Sequence, residues 1–285
     1  MTSWGRLAAE AAARLGSDHD ARRIVEAASG RSGTALTLAW DEPATSTGRA
    51  AAAAMVARRL TGEPLQYVVR SWGFRTLDLM VDARVLIPRP ETEVVVDHAL
   101  AELGRLATGG RRPVVVDLGT GSGAIALALA TEGPAADIWA TDASGPALEV
   151  ASANLAGVDH RSAAKVRLAQ GSWYDALPAG LRGRVDLIVS NPPYVSEGDE
   201  VEDQVAAWEP AEALFCGEGG LQASAAILTG APAWLRRPGV VVLELAAPRA
   251  EATRALALRS GFGPAEVHPD PSGLDRVLVA RLPCP

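Results

Sequence analysis

The chain has 285 residues, 48% hydrophobic and 21% charged, with a formal net charge of −7. No run of about 20 uninterrupted apolar residues is present, which argues against a spanning helix, and Arg6, Glu10 and Arg14 break the Ala-rich start where a signal-peptide core would lie. The acidic balance, two distant cysteines (Cys216 and Cys284) and four scattered histidines count against a basic nucleic-acid groove, a disulfide framework and a zinc site, so a metal-free cytoplasmic enzyme is the expectation.

Residues 1–64 read as helical. Ser17 with Asp20 forms a capping pattern before Ile24, Val25 and Ala28, and Gly30 can end that helix. A second helical run covers Arg49 to Leu60 and stops before Gly62 and Pro64. Residues 65–88 alternate apolar and polar positions around Gly73, which predicts a β-hairpin linker. Pro88 and Pro90 bracket Arg89, and a helix is expected from Glu91 through Leu103. Arg89 to Glu93 reads equally as a helix start whose acids suit the dipole and as a lid over a cleft.

From residue 113 strands and helices alternate. PVVVDLG, ADIWATD, KVRLAQ, RVDLIVS and GVVVLELA read as strands, with helices from Gly123, Ser144, Leu221 (to Leu235) and Arg249 between them. DRVLVARL is a last strand, and the turn at Pro271 to Gly273 suggests a closing antiparallel hairpin. Residues 89–285 therefore form an α/β domain, a doubly wound, mostly parallel sheet.

Gly119-Thr120-Gly121-Ser122-Gly123 follows a buried strand and opens a helix. Glycines allow a tight turn and close backbone approach, and helix-start amides favour a carboxylate or phosphate. Asp142, 19 residues past Gly123 at the next strand's end, can accept hydrogen bonds from both ribose hydroxyls. The spacing G-x-G-x-G differs from the dinucleotide pattern. A bare turn is the blander reading of the glycines alone.

RVDLIVS runs into Asn191-Pro192-Pro193-Tyr194, 68 residues after Gly123. Ligands of open α/β sheets bind beyond the carboxyl ends of strands, which places this tetrapeptide beside the glycine loop. Two prolines stiffen the corner and leave carbonyl acceptors. The Asn191 side-chain oxygen and the Pro192 carbonyl can each accept one N–H of an uncharged NH2 group, and Tyr194 can stack on a planar amide. In isolation the same residues could be a rigid surface turn.

These residues give the chain a resemblance to the release factor glutamine methyltransferases, the HemK/PrmC family. The runs that carry it are GEPLQYV, WGF, VLIPRPETE, DLGTGSGAIALALA, SNPPYVSE and GLDRVLVARL. The resemblance implies a Rossmann-like class I methyltransferase fold, S-adenosylmethionine as donor and S-adenosylhomocysteine as product. It also implies a class I peptide chain release factor as substrate, methylated on the glutamine of its Gly-Gly-Gln loop. Gly119, Thr120, Gly121, Ser122, Gly123 and Asp142 match the cofactor positions, and Trp173 matches the aromatic residue near the adenine. Asn191, Pro192, Pro193 and Tyr194 match the substrate-amide clamp, Asn191 also bordering the cofactor. The helical 1–64 domain would help to hold the release factor. No direct nucleic-acid contact, membrane or metal is implied, and a monomer is expected. Three positions depart from the family pattern: Ser172 precedes Trp173 in place of an acid, Arg70 replaces Gly, and AAPRAEA lacks the usual Gly and Gln.

Rival readings are a glutamine methyltransferase for a ribosomal protein, an N6-adenine methyltransferase holding a flipped base in the same clamp, and a non-catalytic module retaining the fold. The PETE continuation counts against the first and the net charge against the second. The intact glycine loop, acid and clamp count against the third.

Overall fold

A computed structural model describes residues 2–107, 110–196 and 198–284; Glu197, at the end of the SNPPYVSE run, lies outside them. The chain divides into two compact units, Met1–Ser71 with Glu202–Trp208, and Trp72–Val201 with Glu209–Pro285.

The first unit is helical because its sequence offers caps at each start. Ser3 accepts from the Arg6 amide and opens α1 (Trp4–Leu15). Ser17 accepts from the Asp20 amide and opens α2 (Asp18–Ser29), which Gly30 ends at φ 66°. The expected capping pattern at Ser17 is therefore present. Asp20 does not close the box back onto Ser17; its carboxylate takes Arg59 at 2.7 Å instead. The unit continues with α3 (Gly33–Leu38), α4 (Ser46–Arg59) and α5 (Leu65–Val69). Ile24, Val25, Leu36, Val56 and Val68 are buried within it. Segment 202–208 joins this unit, with Gln204 Nε2 donating to the Gly62 carbonyl at 2.8 Å.

The expected hairpin over 65–88 is much shorter. Leu65 and Val68 bury one face of a single helical turn, α5, whose spacing mimics a strand over so few residues. Only β1 (Trp72–Phe74) and β2 (Leu77–Leu79) pair, antiparallel, with no strand assigned from Met80 to Arg89. Arg70 ends α5 at φ 58°, the left-handed conformation that glycine takes freely.

The second unit opens with α6 (Pro90–Leu106), Pro90 in its first turn. There follow β3 (Val114–Leu118), α7 (Ala124–Glu132), β4 (Asp137–Asp142), α8 (Gly145–Gly157), α9 (His160–Ala163), β5 (Val166–Gln170) and β6 (Val185–Ser190). After α10 (Asp203–Trp208) in the first unit come α11 (Ala211–Leu214), α12 (Gln222–Gly230), β7 (Leu235–Glu244), α13 (Ala250–Arg259), β8 (Ala265–Pro269) and β9 (Asp275–Leu282). The helix expected from Leu221 to Leu235 stops early: Gly230 and Pro232 convert its end to a 3-10 turn, and Leu235 already begins β7.

The strands form one seven-stranded sheet in the order β5-β4-β3-β6-β7-β9-β8. Neighbours from β5 to β7 run parallel, and β9 pairs antiparallel with both β7 and β8, as the closing hairpin requires. Apolar layers cover both faces. Val95, Val96, Leu103, Leu127 and Leu129 build one, and Ile227, Leu228, Trp234 and Phe262 help build the other. That double cover explains why β6 is buried at every position. Asn154 ties α8 to what precedes the site: its amide donates to the Ser122 carbonyl at 2.8 Å and to Met80 O at 3.0 Å. Among the described residues no helix is long and apolar enough to cross a membrane.

Candidate functional site

Four parallel strands end on one edge of the sheet and deliver the site. β3 leads into the glycine loop, β4 ends at Asp142, β5 leads to Gly171–Trp173, and β6 leads to Asn191. A cavity of about 230 Å³ lies there. Gly119, Thr120, Gly121, Ser122, Asp142, Trp173, Asn191 and Pro193 all line it, so the two constellations read from sequence share one space. Gly123, Pro192 and Tyr194 fall outside its lining.

The loop turns through left-handed glycines at φ 73°, 55° and 86° for Gly119, Gly121 and Gly123. Its amides are largely committed within the protein. Gly119 and Thr120 donate to the Thr141 carbonyl, Gly121 to the Asp142 carboxylate at 2.8 Å, and Gly123 to Thr120 O. With these amides committed the loop is not a phosphate nest, and Ala124 and Ile125 at the start of α7 border the cavity beside it. Gly123 serves packing: a Cβ there would press on Leu127 at 3.3 Å.

Asp142 also accepts from the Ser144 amide at 2.9 Å. Burial pushes its carboxyl above the ordinary range, while the hydrogen bonds from Ser144 and Gly121 pull the other way. Asp117, fully buried beneath the loop, is pushed up to about 7 by burial, against hydrogen bonds from Thr120 and Ala126. Its second oxygen, Oδ1, has no hydrogen-bond partner. Trp173 holds φ 46°, an unusual conformation for a bulky residue, and its ring lies near Gly119. Ser172, at the position of the missing acid, lines the cavity beside it.

Around the Asn-Pro-Pro-Tyr corner a chain of hydrogen bonds runs inward. Asn191 Nδ2 donates to Thr92 Oγ1 at 3.1 Å, Thr92 donates to Glu244 Oε2 at 2.7 Å, and Tyr194 donates to Glu244 Oε1 at 3.3 Å. Burial raises the Tyr194 hydroxyl, with the Glu244 carboxylate adding to the effect. Tyr194 therefore ties the corner to β7 through its hydroxyl and lies outside the cavity's lining. The segment Arg89 to Glu93 is both a helix start and a wall. Arg89 is the N-cap of α6, Pro88 and Thr92 line the cavity, and Arg89 pairs with the buried Glu209. Glu209 also accepts from the Ile87 amide at 3.0 Å, which draws Pro210, Glu212 and Ala213 onto the opposite wall.

Sequence reading missed Thr92, Glu209 and Glu244. Glu244 carried a signal: an acid inside the apolar run GVVVLEL is costly to bury and so asks for a partner. Thr92 sat in a quoted motif without a role, and Glu209 had no local signature. Among the described residues no group of three or more His, Cys, Asp or Glu side chains is placed to hold a metal ion.

Comparison with known proteins places the chain in a family. The family model "PrmC N-terminal domain" matches residues 3–69, and "Methyltransferase small domain" matches residues 97–237. A release factor glutamine methyltransferase of Burkholderia pseudomallei (strain K96243) is 38% identical over 267 residues, covering 93% of this chain and 92% of that protein. The protein of the same description in Xylella fastidiosa (strain 9a5c) is 42% identical over 233 residues, covering 81% and 80%. Among solved structures, a methyltransferase from Pyrococcus furiosus aligns with a TM-score of 0.55 at 19% identity, over 80% of this chain and 98% of that one, and so matches in fold. With relatives of this identity aligned along nearly its whole length, the chain belongs to the release factor glutamine methyltransferase family.

Proposed function

We propose that this protein transfers a methyl group from S-adenosylmethionine to the side-chain amide nitrogen (N5) of the glutamine in the Gly-Gly-Gln motif of class I peptide chain release factors; the sulfonium C–S bond breaks as the N–C bond forms, leaving S-adenosylhomocysteine, and the amide nitrogen gives up one proton. The observation that carries this reading is the shared cavity, in which Asn191 stands with Gly121 and Asp142.

The residues present suit the donor. Asp142 keeps acceptor capacity for ribose hydroxyls beyond the two backbone amides it already holds. Trp173 offers a face for the adenine, and the absence of side chains at Gly119 and Gly121 lets the methionine portion approach the backbone closely. S-adenosylmethionine supplies an electrophilic methyl on a sulfonium sulfur.

The rest falls to the chain's own side chains. An amide nitrogen is a weak nucleophile because its lone pair is delocalised into the carbonyl. Asn191 Oδ1 and the Pro192 carbonyl accept its two N–H groups and turn the nitrogen toward the donor. Pro193 and Tyr194 stiffen and flank the corner. Positioning of this kind can lower a barrier by about 7–11 kcal/mol, and transfer between two held groups calls for no metal. The helical first unit helps to hold the release factor.

The test supplies labelled donor with purified release factor, its Gln→Ala loop variant, ribosomal proteins and DNA. Label should enter the release factor alone and vanish with the glutamine. Label that persists in the Gln→Ala variant, or enters DNA or a ribosomal protein in preference, defeats the assignment. Asn191→Ala should abolish transfer while S-adenosylhomocysteine still binds.

A further inference from the structure

A side-chain amide has two ends of nearly equal shape and opposite hydrogen-bonding character. Asn191 serves an incoming NH2 group only with its oxygen toward the cavity. Flipped, it would set donor against donor. Some part of the protein must fix which end faces in.

The Asn-Pro-Pro-Tyr corner itself does not do this. The contact that does comes from α6, where Thr92 Oγ1 accepts from Asn191 Nδ2 at 3.1 Å. A threonine hydroxyl carries one proton, and here Glu244 Oε2 takes it at 2.7 Å. With its proton committed, Oγ1 can only accept from Asn191. The Asn191 NH2 end is thereby held toward Thr92 and its oxygen is turned away. The second Glu244 oxygen holds the Tyr194 hydroxyl at 3.3 Å. One carboxylate on β7 thus holds Tyr194 of the corner directly and Asn191 through Thr92. Thr92 and Glu244 are both buried, so water does not compete for these bonds.

We propose that Thr92 and Glu244 are positioning residues that set the polarity of the Asn191 amide for the glutamine substrate. The inference rests on the proposed reaction and adds to it two residues, 152 positions apart, that act through Asn191.

The polarity depends on Glu244 being ionised, since a carboxylate only accepts. Burial pushes Glu244 up to about 7, opposed by Thr92, Arg276 on β9 and Tyr194, and assisted by Glu91 on α6. Once protonated, Glu244 can donate to Thr92, whose own proton is then free to turn to Asn191 and favour the flipped amide. Turnover should therefore rise with pH through this ionisation.

The experiment uses the full chain and release factor, with kcat, KM and the Kd of S-adenosylhomocysteine measured for Thr92→Val, Thr92→Ser and Glu244→Gln. Thr92→Val keeps the shape and loses the hydroxyl. It should lower kcat by about 10- to 100-fold, the range for an unmade hydrogen bond on a buried group, with KM and Kd within about threefold. Thr92→Ser should restore most of the rate, and Glu244→Gln should remove the fall in kcat below about pH 7. The Asn191 NH2 resonance, identified by its loss in Asn191→Asp, reads the contact without turnover; Thr92→Val should speed its hydrogen exchange. Wild-type kcat in Thr92→Val, equal losses in the Val and Ser variants, or a matching loss of cofactor affinity would overturn the positioning role. A pH limb that survives in Glu244→Gln would remove Glu244 from it. A wild-type protein that transfers no methyl to the glutamine, with Asn191 exchange unchanged in Thr92→Val, overturns both readings; changed exchange would leave the amide contact standing and sink only the reaction.

Discussion

Replacing Asp117 with asparagine should change the pH dependence of stability more than stability itself. Asp117 lies wholly buried under the glycine loop, and burial raises its carboxyl from an ordinary 3.8 to about 7. The folded state therefore keeps a proton that the unfolded chain releases above about pH 4. Stability from this group is complete below that point and is lost as pH rises through about 7. At 1.36 kcal/mol per pH unit, the loss across that window is about 4 kcal/mol. The Asp117→Asn variant has no such titration. The amide oxygen can still accept from Thr120 and Ala126, as Oδ2 does at 2.6 and 3.2 Å. The amide NH2 would take the place of Oδ1, which has no partner, at a cost of about 1–3 kcal/mol. The variant should then be less stable than wild type at about pH 4, where that cost stands alone, and more stable at pH 8, where the wild-type loss exceeds it. Native-state hydrogen exchange of the β3 amides in urea reads this unit separately from the helical one. A stability difference between variant and wild type that is the same at both pH values would refute the reasoning.

Changes at three further positions test the site and the helical unit. Trp173→Ala removes the ring beside Gly119 and should weaken S-adenosylhomocysteine binding by about 10-fold, the scale of one aromatic contact; calorimetry showing an unchanged Kd would remove Trp173 from the cofactor site. Gly220→Ala places a Cβ 2.5 Å from the Tyr194 carbonyl and at φ 62°. It should lower kcat by displacing the Asn-Pro-Pro-Tyr corner while cofactor affinity holds, and steady-state kinetics with paired binding measurements decide. Arg70→Gly should leave thermal stability level or slightly higher, since relief of the left-handed strain at φ 58° offsets the looser unfolded chain, whereas Arg70→Val should lower it by about 1–2 kcal/mol.

What the sequence made legible was local. Ser17 and Gly30 bound a helix through neighbours three or fewer residues away, and the structure keeps both caps. The glycine loop, Asp142 and Asn191 were placed together by one rule about strand ends, because each follows an apolar strand directly. Readings failed where a short run fits two periods or where a contact spans the chain. Leu65 to Val69 is too brief to separate a helical turn from a strand. Arg89 with Glu209, and Thr92 with Glu244, are joined across 120 and 152 positions, and nothing local announces either pair.

A finer distinction was available for the buried acids. Asp117, Asp142, Asp186 and Glu244 all stand in strands, and Asp117, Asp186 and Glu244 are buried among Val, Leu and Ile. Their position along the strand separates them. Asp186 is the second residue of β6, on the edge away from the cavity, where Arg111 clamps both its oxygens at 2.7 Å and the Val114 amide donates to it. It is fully partnered by cations and backbone, as a structural ion pair must be when buried. Asp117, Asp142 and Glu244 lie at the carboxyl ends of β3, β4 and β7, and burial raises all three. None of the three has a guanidinium within salt-bridge distance among the described residues. An acid held at a strand's carboxyl end without a cation keeps its acceptor capacity for polar groups at the site. That is the physical reason these carboxylates, and not Asp186, point to where this fold works.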